Sequence, residues 1–201
     1  MSTLPPMTGV LLAGGRSRRM GTDKASSAFA FDGEPLAARV ARRLAEACDE
    51  VLVASGDGER MAWLDLPQVR DARADSGPLG GLVAGLEAAS NDLVAVVAVD
   101  MPYASGPLLR ALAGLRCDED AVVPVTAAGP EPLHAVYATA SARSLRERLE
   151  AGTLAVHEAI RAIAVRYVPE HVWRTADPSG SFAWNLNRPS DRDGPASDRA
   201  R

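Results

Sequence analysis

The sequence predicts an α/β protein in three layers, with helices on both faces of a mostly parallel central sheet. Two observations carry this prediction. Strand-like and helix-like segments alternate along most of the 201 residues, which is typical of parallel sheets with crossover helices. The run Leu93–Val99 is apolar without polar alternation, so both faces of that strand should be buried, as in the centre of a parallel sheet.

The first half of the chain should form three strands and two helices. Thr8–Ala13 is a short apolar run that ends at paired glycines, so it predicts a buried first strand. Pro35–Cys48 predicts a helix, because Pro35 suits the first helical position and apolar residues recur at a spacing of four. The other predicted elements are the strands Val51–Ala54 and Gln68–Arg70 and the small-residue helix Leu79–Ala89, which could pack tightly on a sheet.

The second half begins with the central strand and continues the alternation. Gly106–Leu115 predicts a helix, with Ser105 as its N-cap and Pro107 in its first turn. The remaining predicted elements are the strands Ala121–Val125 and Leu133–Thr139 and the helices Ser141–Ala151 and Leu154–Ile163.

Length and composition predict one domain over residues 1–189, followed by a polar tail at 190–201 that should be disordered. A net charge of −4 argues against a general nucleic-acid binder. The N-terminus lacks the pattern of a signal peptide, and no apolar run reaches the length of a membrane span, so we expect a cytoplasmic protein. Cys48 and Cys117 should be buried, small apolar residues without a structural disulfide.

The segment from residue 9 to residue 24 predicts a phosphate-binding loop after the first strand. Glycines let backbone N–H groups approach an anion closely, and fixed cations neutralise it. Lys24 is the only lysine among 22 basic residues, which suggests a task that needs a compact point charge. The alternative is a lysine on a solvated loop. The spacing is neither that of a Walker A loop nor that of a dinucleotide fingerprint. The residues concerned are Gly14, Gly15, Arg16, Arg18, Arg19 and Lys24.

Two aspartates follow predicted strands and are candidate ligand-binding residues. Asp100 comes directly after the central strand, where open α/β sheets bind ligands, and its carboxylate could hold Mg²⁺. The alternative for Asp100 is a helix cap. Asp71 ends a weaker strand and could accept a hydrogen bond from a nucleotide, or it could simply form a turn.

Further polar candidates lie in the second half of the chain. Asn185 and Asn187 are one residue apart and could supply a neutral oxygen to the metal, or they could belong to an Asn-rich turn. His134 could touch a phosphate of a second substrate, although a lone histidine is more often structural. The three histidines lack the spacing of a metal site.

Together, these segments resemble the molybdenum cofactor guanylyltransferases, within the wider group of sugar-nucleotide-type nucleotidyltransferases. The resemblance implies a Rossmann-like nucleotidyltransferase fold of three α/β/α layers. The matching pieces span nearly the whole chain in order: Leu12-Ala-Gly-Gly-Arg-Ser-Arg-Arg-Met-Gly-Thr-Asp-Lys24, Asp71, Ser76-Gly-Pro-Leu-Gly-Gly-Leu82, Val99-Asp-Met-Pro-Tyr103, Pro132-Leu-His-Ala-Val-Tyr137 and Asn185-Leu-Asn-Arg-Pro189.

The resemblance also implies a reaction of Mg-GTP with the terminal phosphate of a molybdenum-bearing molybdopterin, which gives the guanine dinucleotide cofactor and pyrophosphate. It implies nucleotide contacts at Leu12, Ala13, Gly14, Gly15, Lys24, Asp71 and Asp100. Lys24, Asp100 and Arg19 would be catalytic, with Arg16 and Arg19 on the leaving pyrophosphate, and Asp100 and Asn187 would hold Mg²⁺. A molybdoenzyme or delivery protein is a plausible partner, and no nucleic acid or membrane is expected.

Two alternatives to this interpretation stay open. The chain could be a related transferase that uses CTP or another phosphorylated acceptor, since the wider motif set is shared. It could also be a non-catalytic nucleotide-binding module. Two features favour this second alternative. Ala54 stands where the family's second strand often ends in Asn, and Ser26-Ser27 stand where the family usually has an apolar, Leu-rich strand.

Overall fold

The computed structural model of the chain describes residues 5–14, 30–73 and 75–186. The predicted positions Gly15, Arg16, Arg18, Arg19, Lys24 and Asn187, and the predicted tail, lie outside these ranges. The strands are β1 (Met7–Leu12), β2 (Ala30–Phe31), β3 (Glu34–Pro35), β4 (Glu50–Gly56), β5 (Gln68–Arg70), β6 (Leu93–Ala98), β7 (Ala121–Thr126), β8 (Gly129–Pro130), β9 (His134–Ala138) and β10 (Val165–Val168). The α-helices are α1 (Leu36–Ala45), α2 (Gly77–Ala88), α3 (Gly106–Leu115), α4 (Ala142–Glu150), α5 (Val156–Ala159) and α6 (Glu170–Trp173).

The central sheet has the strand order β10-β7-β9-β6-β1-β4-β5, with β8 paired to β7 beside this path. The neighbours of β1 and the pairs β4–β5 and β7–β10 are parallel, whereas β9 is antiparallel to both β6 and β7. The predicted mostly parallel sheet is therefore confirmed. Since β6, β1, β4 and β5 are parallel, their carboxyl ends meet at one edge of the sheet. This edge is the part of the fold that matters for function.

Two apolar clusters cover the two faces of the sheet and produce three layers. One cluster joins the sheet to α1, α3 and α6, and the other joins it to α2, α4 and α5. The centre of the sheet is dry, since every residue of β1 and of β6 is buried. This arrangement confirms the predicted α/β/α layering.

Helix α2 packs against β1 at very short range because its inner face is made of glycine. A Cβ atom on Gly85 would lie 2.6 Å from Cγ1 of Val10, and one on Gly81 would lie 3.2 Å from Cδ2 of Leu12. A side chain at position 85 would displace Val10, and one at position 81 would require its neighbours to move by a few tenths of an ångström. The predicted tight packing of this small-residue helix is thus confirmed, and it brings the first turn of α2 to the carboxyl end of β1.

The short elements β2, β3, β8 and α6 were not predicted from the sequence, and the structure differs from the sequence expectations in three further places. Helix α1 begins at Leu36, because Pro35 is extended and pairs with Ala30 in a short hairpin. The segment Leu154–Ile163, predicted as one helix, forms only the four-residue helix α5 and a following 3-10 turn. Its buried apolar residues are enough for about one turn packed against α4. The edge strand β10 was not predicted because it has only one buried residue, Val168.

The two cysteines are not alike. Cys48 is half-buried after the end of α1, and burial raises the pKa of its thiol to about 12. Cys117 is exposed, so the expectation that it is buried is wrong. It lies in the turn before β7, where its backbone N–H donates to the Glu119 carboxylate and the side chain has no apolar layer to enter. No helix within residues 5–14, 30–73 and 75–186 is long and apolar enough to cross a membrane.

Candidate functional site

The ends of four parallel strands hold one another in register at the edge where the candidate residues lie. The N–H of Val99 donates to the Leu12 carbonyl at 3.0 Å, and the N–H of Ala13 donates to the Ala54 carbonyl at 2.8 Å. The carbonyl of Leu12 and the N–H of Ala13 are therefore occupied by hydrogen bonds within the sheet. The chain therefore leaves the sheet at Gly14, the residue that opens the predicted phosphate loop.

Three glycines from different elements surround the carboxylate of Asp71. A Cβ atom on Gly14 would lie 2.9 Å from Oδ2 of Asp71 and 3.2 Å from the Cα atom of Gly56. A Cβ atom on Gly81 would lie 3.3 Å from Oδ1 of Asp71. Gly56 also has a φ of +87°, which glycine adopts without strain. We call the space between Gly14, Gly56 and Gly81 the glycine crevice, and the Asp71 carboxylate lies in it.

The Asp71 carboxylate has an acceptor atom that is available to a hydrogen-bond donor of a ligand. Its Oδ1 atom is buried and has no hydrogen-bond partner among the described residues. Burial raises the pKa of this carboxyl group, while a hydrogen bond from the Gly56 backbone and the charge of Arg60 oppose the rise. A buried polar atom without a partner is costly, so a ligand that donates to Oδ1 gains binding energy there.

Arg60 is part of this edge and was not predicted from the sequence. Its guanidinium donates a hydrogen bond from Nη2 to the Ala13 carbonyl. The turn that delivers Arg60 is held by Asp57, whose Oδ1 accepts from the N–H groups of Glu59 and Arg60 at 2.9 and 2.8 Å. The signal in the sequence is the Asp57-Gly58 turn, which follows β4 at the same edge as the other candidates.

Asp100 follows β6 at the predicted position and does not cap the next helix. Ser105 is the cap of α3, since its Oγ accepts from the N–H of Leu108 at 3.3 Å. The carbonyl of Asp100 accepts from the N–H of Leu186 at 2.8 Å, so the C-terminal segment lies against this strand end. The amide of Asn185 donates to the Ala183 carbonyl within that segment. That local bond favours the turn interpretation for Asn185, and Asn187 lies just beyond the described residues.

A second carboxylate, that of Glu131, lies near Asp100 and was also missed. Because β9 is antiparallel to β6, the residues just before β9 come to the carboxyl end of β6, where His134 pairs with Val97. Glu131 is half-buried there, and its pKa is raised by burial first and by the charge of Asp100 second. The antiparallel direction of β9 would have revealed this proximity, but a buried apolar run does not indicate strand direction.

These two carboxylates fit a Mg²⁺ ion in their donor chemistry. Mg²⁺ prefers one or two carboxylates and completes its shell with phosphate oxygens and water. Among residues 5–14, 30–73 and 75–186, no group of three or more His, Cys, Asp or Glu side chains could form an all-protein metal cage. The pair at Asp100 and Glu131 is thus the kind of partial site that a metal bound together with phosphates requires.

His134 has a structural position. Its ring is buried, its Nε2 accepts from the N–H of Ser105 at 3.0 Å, and it packs on Phe182 with ring centroids 4.8 Å apart. The burial of the ring favours the structural alternative for His134, and its Nδ1 atom has no hydrogen-bond partner among the described residues. The histidine ties β9 to the N-terminus of α3 and to the C-terminal segment that reaches Asp100.

The burial of His134 predicts an acid-sensitive fold. Burial lowers its pKa from 6.5 to about 4, so the folded protein keeps the ring neutral while the unfolded chain protonates it. Above pH 6.5, the ring is neutral in both states and protonation does not change the free energy of unfolding. Between pH 6.5 and pH 4, protonation of the unfolded chain lowers the free energy of unfolding by up to about 1.4 kcal/mol per pH unit. We expect urea unfolding between pH 7 and pH 4.5 to give a shallower pH dependence for His134→Gln than for the wild type.

The matched control for that experiment is His157→Gln, because His157 is exposed on α5. This variant should keep the pH dependence of the wild type. Equal slopes for His134→Gln and the wild type would contradict the assignment of acid sensitivity to His134.

Comparison with known proteins identifies relatives over most of the chain. The family described as MobA-like NTP transferase domain matches residues 9–166. A probable molybdenum cofactor guanylyltransferase of Chloroflexus aggregans is 37% identical over 191 residues, which cover 92% of this chain and 91% of the relative. A molybdenum cofactor guanylyltransferase of Burkholderia ambifaria is 41% identical over 165 residues, which cover 75% and 80%.

A solved structure supports the fold independently. The crystal structure of molybdopterin-guanine dinucleotide biosynthesis protein A from Archaeoglobus fulgidus superposes with a TM-score of 0.81. The match covers 92% of this chain and 95% of the other at 24% identity. At this identity the likeness concerns the fold, and it agrees with the three layers described above.

Proposed function

The chain belongs to the molybdenum cofactor guanylyltransferases, nucleotidyltransferases of the MobA-like NTP transferase family, and from this we propose that it transfers GMP from GTP to molybdenum-bearing molybdopterin. The products are the guanine dinucleotide cofactor and pyrophosphate. The observation that carries this proposal is the pair of half-buried carboxylates, Asp71 and Asp100, that follow β5 and β6 at one edge of the sheet.

The strand order supports a nucleotide that lies along this edge. The strands β1 and β4 separate β6 from β5, and three strand spacings amount to roughly 14 Å. That span suits an extended nucleotide, with its base and ribose at the glycine crevice beside Asp71 and its phosphates towards Asp100. The crevice is lined by backbone, so a flat ligand can approach it closely.

The residues of this chain contribute binding, orientation and charge stabilisation to the proposed reaction. An oxygen of the pterin phosphate attacks the α-phosphorus of GTP in line, the bond to the β-phosphate oxygen breaks, and pyrophosphate leaves. Lys24 and the amides of the glycine loop stabilise the negative charge that grows on the phosphates, and Arg16 and Arg19 hold the leaving pyrophosphate. No covalent intermediate with the protein is required.

Asp100 would hold Mg²⁺ in this proposal, with Asn187 as a further oxygen donor. When bound, the ion supplies Lewis-acid polarisation of phosphate oxygens. Glu131 adds a second carboxylate beside Asp100, and its raised pKa indicates that it gains from a nearby cation.

We further propose that the enzyme works in the cytoplasm as one domain. Its product is a labile cofactor, which favours direct delivery to a molybdoenzyme or to a delivery protein. The delivery proposal rests on the chemistry of the product, and the other two rest on the length and composition of the chain.

Calorimetric titration with GTP, CTP, ATP and UTP, with Mg²⁺ and then with a chelator, tests the nucleotide assignment. We expect selective GTP binding that Mg²⁺ strengthens and that Asp71→Asn weakens. Asp65→Asn is the matched control, because Asp65 is exposed on a turn with a φ of 53° that Asn also tolerates. Preference for CTP would transfer the assignment to a cytidylyl relative, and a folded protein that binds no nucleotide would contradict it.

A further inference from the structure

Arg60 links two parts of the candidate site, the end of β1 at Ala13 and the Asp71 carboxylate. Its guanidinium donates to the carbonyl of Ala13, the residue between β1 and the glycine loop. Gly14 follows Ala13 and lies against the Asp71 carboxylate, whose pKa the positive charge of Arg60 lowers. The Asp57 turn fixes the backbone of Arg60, so the guanidinium reaches this position from a constrained start.

The protonation state of Asp71 decides what this carboxyl group can bind. An ionised carboxylate only accepts hydrogen bonds, whereas a protonated one also donates. The glycine crevice removes water from one side of the group, and its Oδ1 atom has no hydrogen-bond partner among the described residues. Burial alone drives such a group towards its neutral form unless an opposite charge is close.

Two described side chains act on Asp71 by charge, and they act in opposite directions. Arg60 stabilises the ionised form, while Asp57 destabilises it. Asp57 is itself kept ionised, since hydrogen bonds from the backbone of Glu59 and Arg60 lower its pKa. Without the guanidinium, only the hydrogen bond from the Gly56 backbone would oppose the effects of burial and of the negative Asp57 on the pKa of Asp71.

We propose that Arg60 is a positioning residue for nucleotide binding, whose guanidinium fixes the Ala13 carbonyl next to Gly14 and brings a positive charge to the crevice that holds the Asp71 carboxylate. This inference rests on the proposed function, since it takes the glycine crevice as the nucleotide site. The ligand chemistry is an N–H or O–H donor that reaches Oδ1 of Asp71. Such donors are present on the guanine base, as its N1 and 2-amino groups, and on the ribose hydroxyls.

The first test needs no nucleotide. Carbon-13 NMR titration of the Asp71 carboxyl group in the ligand-free protein should show a higher midpoint in Arg60→Ala than in the wild type. Arg60→Lys should restore most of the wild-type midpoint because it keeps the charge. Arg161→Ala is the control, since Arg161 is an exposed arginine in the 3-10 turn that precedes β10 and takes no part in the Asp57 turn. An unchanged midpoint in folded Arg60→Ala would overturn the proposal.

The second test measures GTP affinity by calorimetry from pH 5 to pH 8. Arg60→Ala should bind GTP roughly tenfold more weakly at the acidic end and recover as pH rises, because Asp71 then ionises without help. The wild type should lose a similar factor with inosine triphosphate if the 2-amino group of guanine donates to Asp71, and with 2′- or 3′-deoxy-GTP if a ribose hydroxyl does. GTP binding by Arg60→Ala that equals the wild type at every pH would overturn the proposal.

The two tests separate this inference from the proposed function. A wild-type protein that binds no nucleotide overturns the proposed function and the binding part of this inference, while the NMR titration still decides whether Arg60 controls Asp71. A wild type that binds GTP, with an Arg60→Ala variant that matches it in both tests, overturns this inference alone.

Discussion

Asp100→Ala is expected to fold like the wild type and to lose turnover by roughly 10²–10³-fold, the usual cost of removing one electrostatic contact to a reacting group. The fold should survive because the backbone carbonyl of Asp100 accepts from the N–H of Leu186, and the variant keeps this hydrogen bond. Ser105 supplies the cap of the next helix, so the carboxylate is not needed there. Pyrophosphate release with GTP and molybdopterin, beside a circular dichroism spectrum, measures both parts.

The matched control for this variant is Asp118→Ala. Asp118 is an exposed aspartate in the turn between α3 and β7. It should keep full turnover. A folded Asp100→Ala protein with near-wild-type turnover would refute the assignment of Asp100 to the metal and phosphate site.

Lys24→Ala should lose turnover to a similar extent, because the ammonium stabilises charge on the phosphates in the transition state. Lys24→Arg should recover only part of the activity, since a planar guanidinium is a poor substitute for a compact point charge that follows a moving phosphoryl group. The expected change lies mainly in kcat. Arg42→Ala removes an exposed cation from α1 and should leave turnover unchanged.

The single lysine also permits a chemical version of this experiment. An amine-selective reagent can modify only Lys24 and the N-terminus of this chain. Mg-GTP should protect Lys24 from modification, and modified protein should be inactive. Full activity after complete modification of Lys24, or of folded Lys24→Ala, would contradict its proposed role.

The sequence predicts the layers and the main strands well because long apolar runs have few alternatives. Leu93–Val99 could hardly be anything but a central strand, and Asp100 then follows at the ligand-binding edge. Gly81 and Gly85 likewise indicate the close contact between α2 and β1, because glycine leaves room for it. Both predictions depend only on the residues within one segment, and these can be read from the sequence.

The parts that could not be predicted depend on relations between distant residues. Nothing in the buried run His134–Ala138 indicates that β9 is antiparallel, and this direction is what brings Glu131 to Asp100. Arg60 reaches Ala13 only because of the geometry of the preceding turn. The roles proposed for Lys24 and Asn187 stay predictions, since both residues lie outside the described ranges.

The measurement that tests the central claim most directly follows the α-phosphorus of GTP. The purified protein is incubated with Mg²⁺, molybdenum-bearing molybdopterin and GTP labelled at the α-phosphorus, and the products are separated. The account predicts that the label enters a pterin guanine dinucleotide, with one pyrophosphate released for each dinucleotide formed. If the label stays in GTP under conditions where the folded protein binds it, or if only CTP serves as the donor, the guanylyltransferase assignment is contradicted.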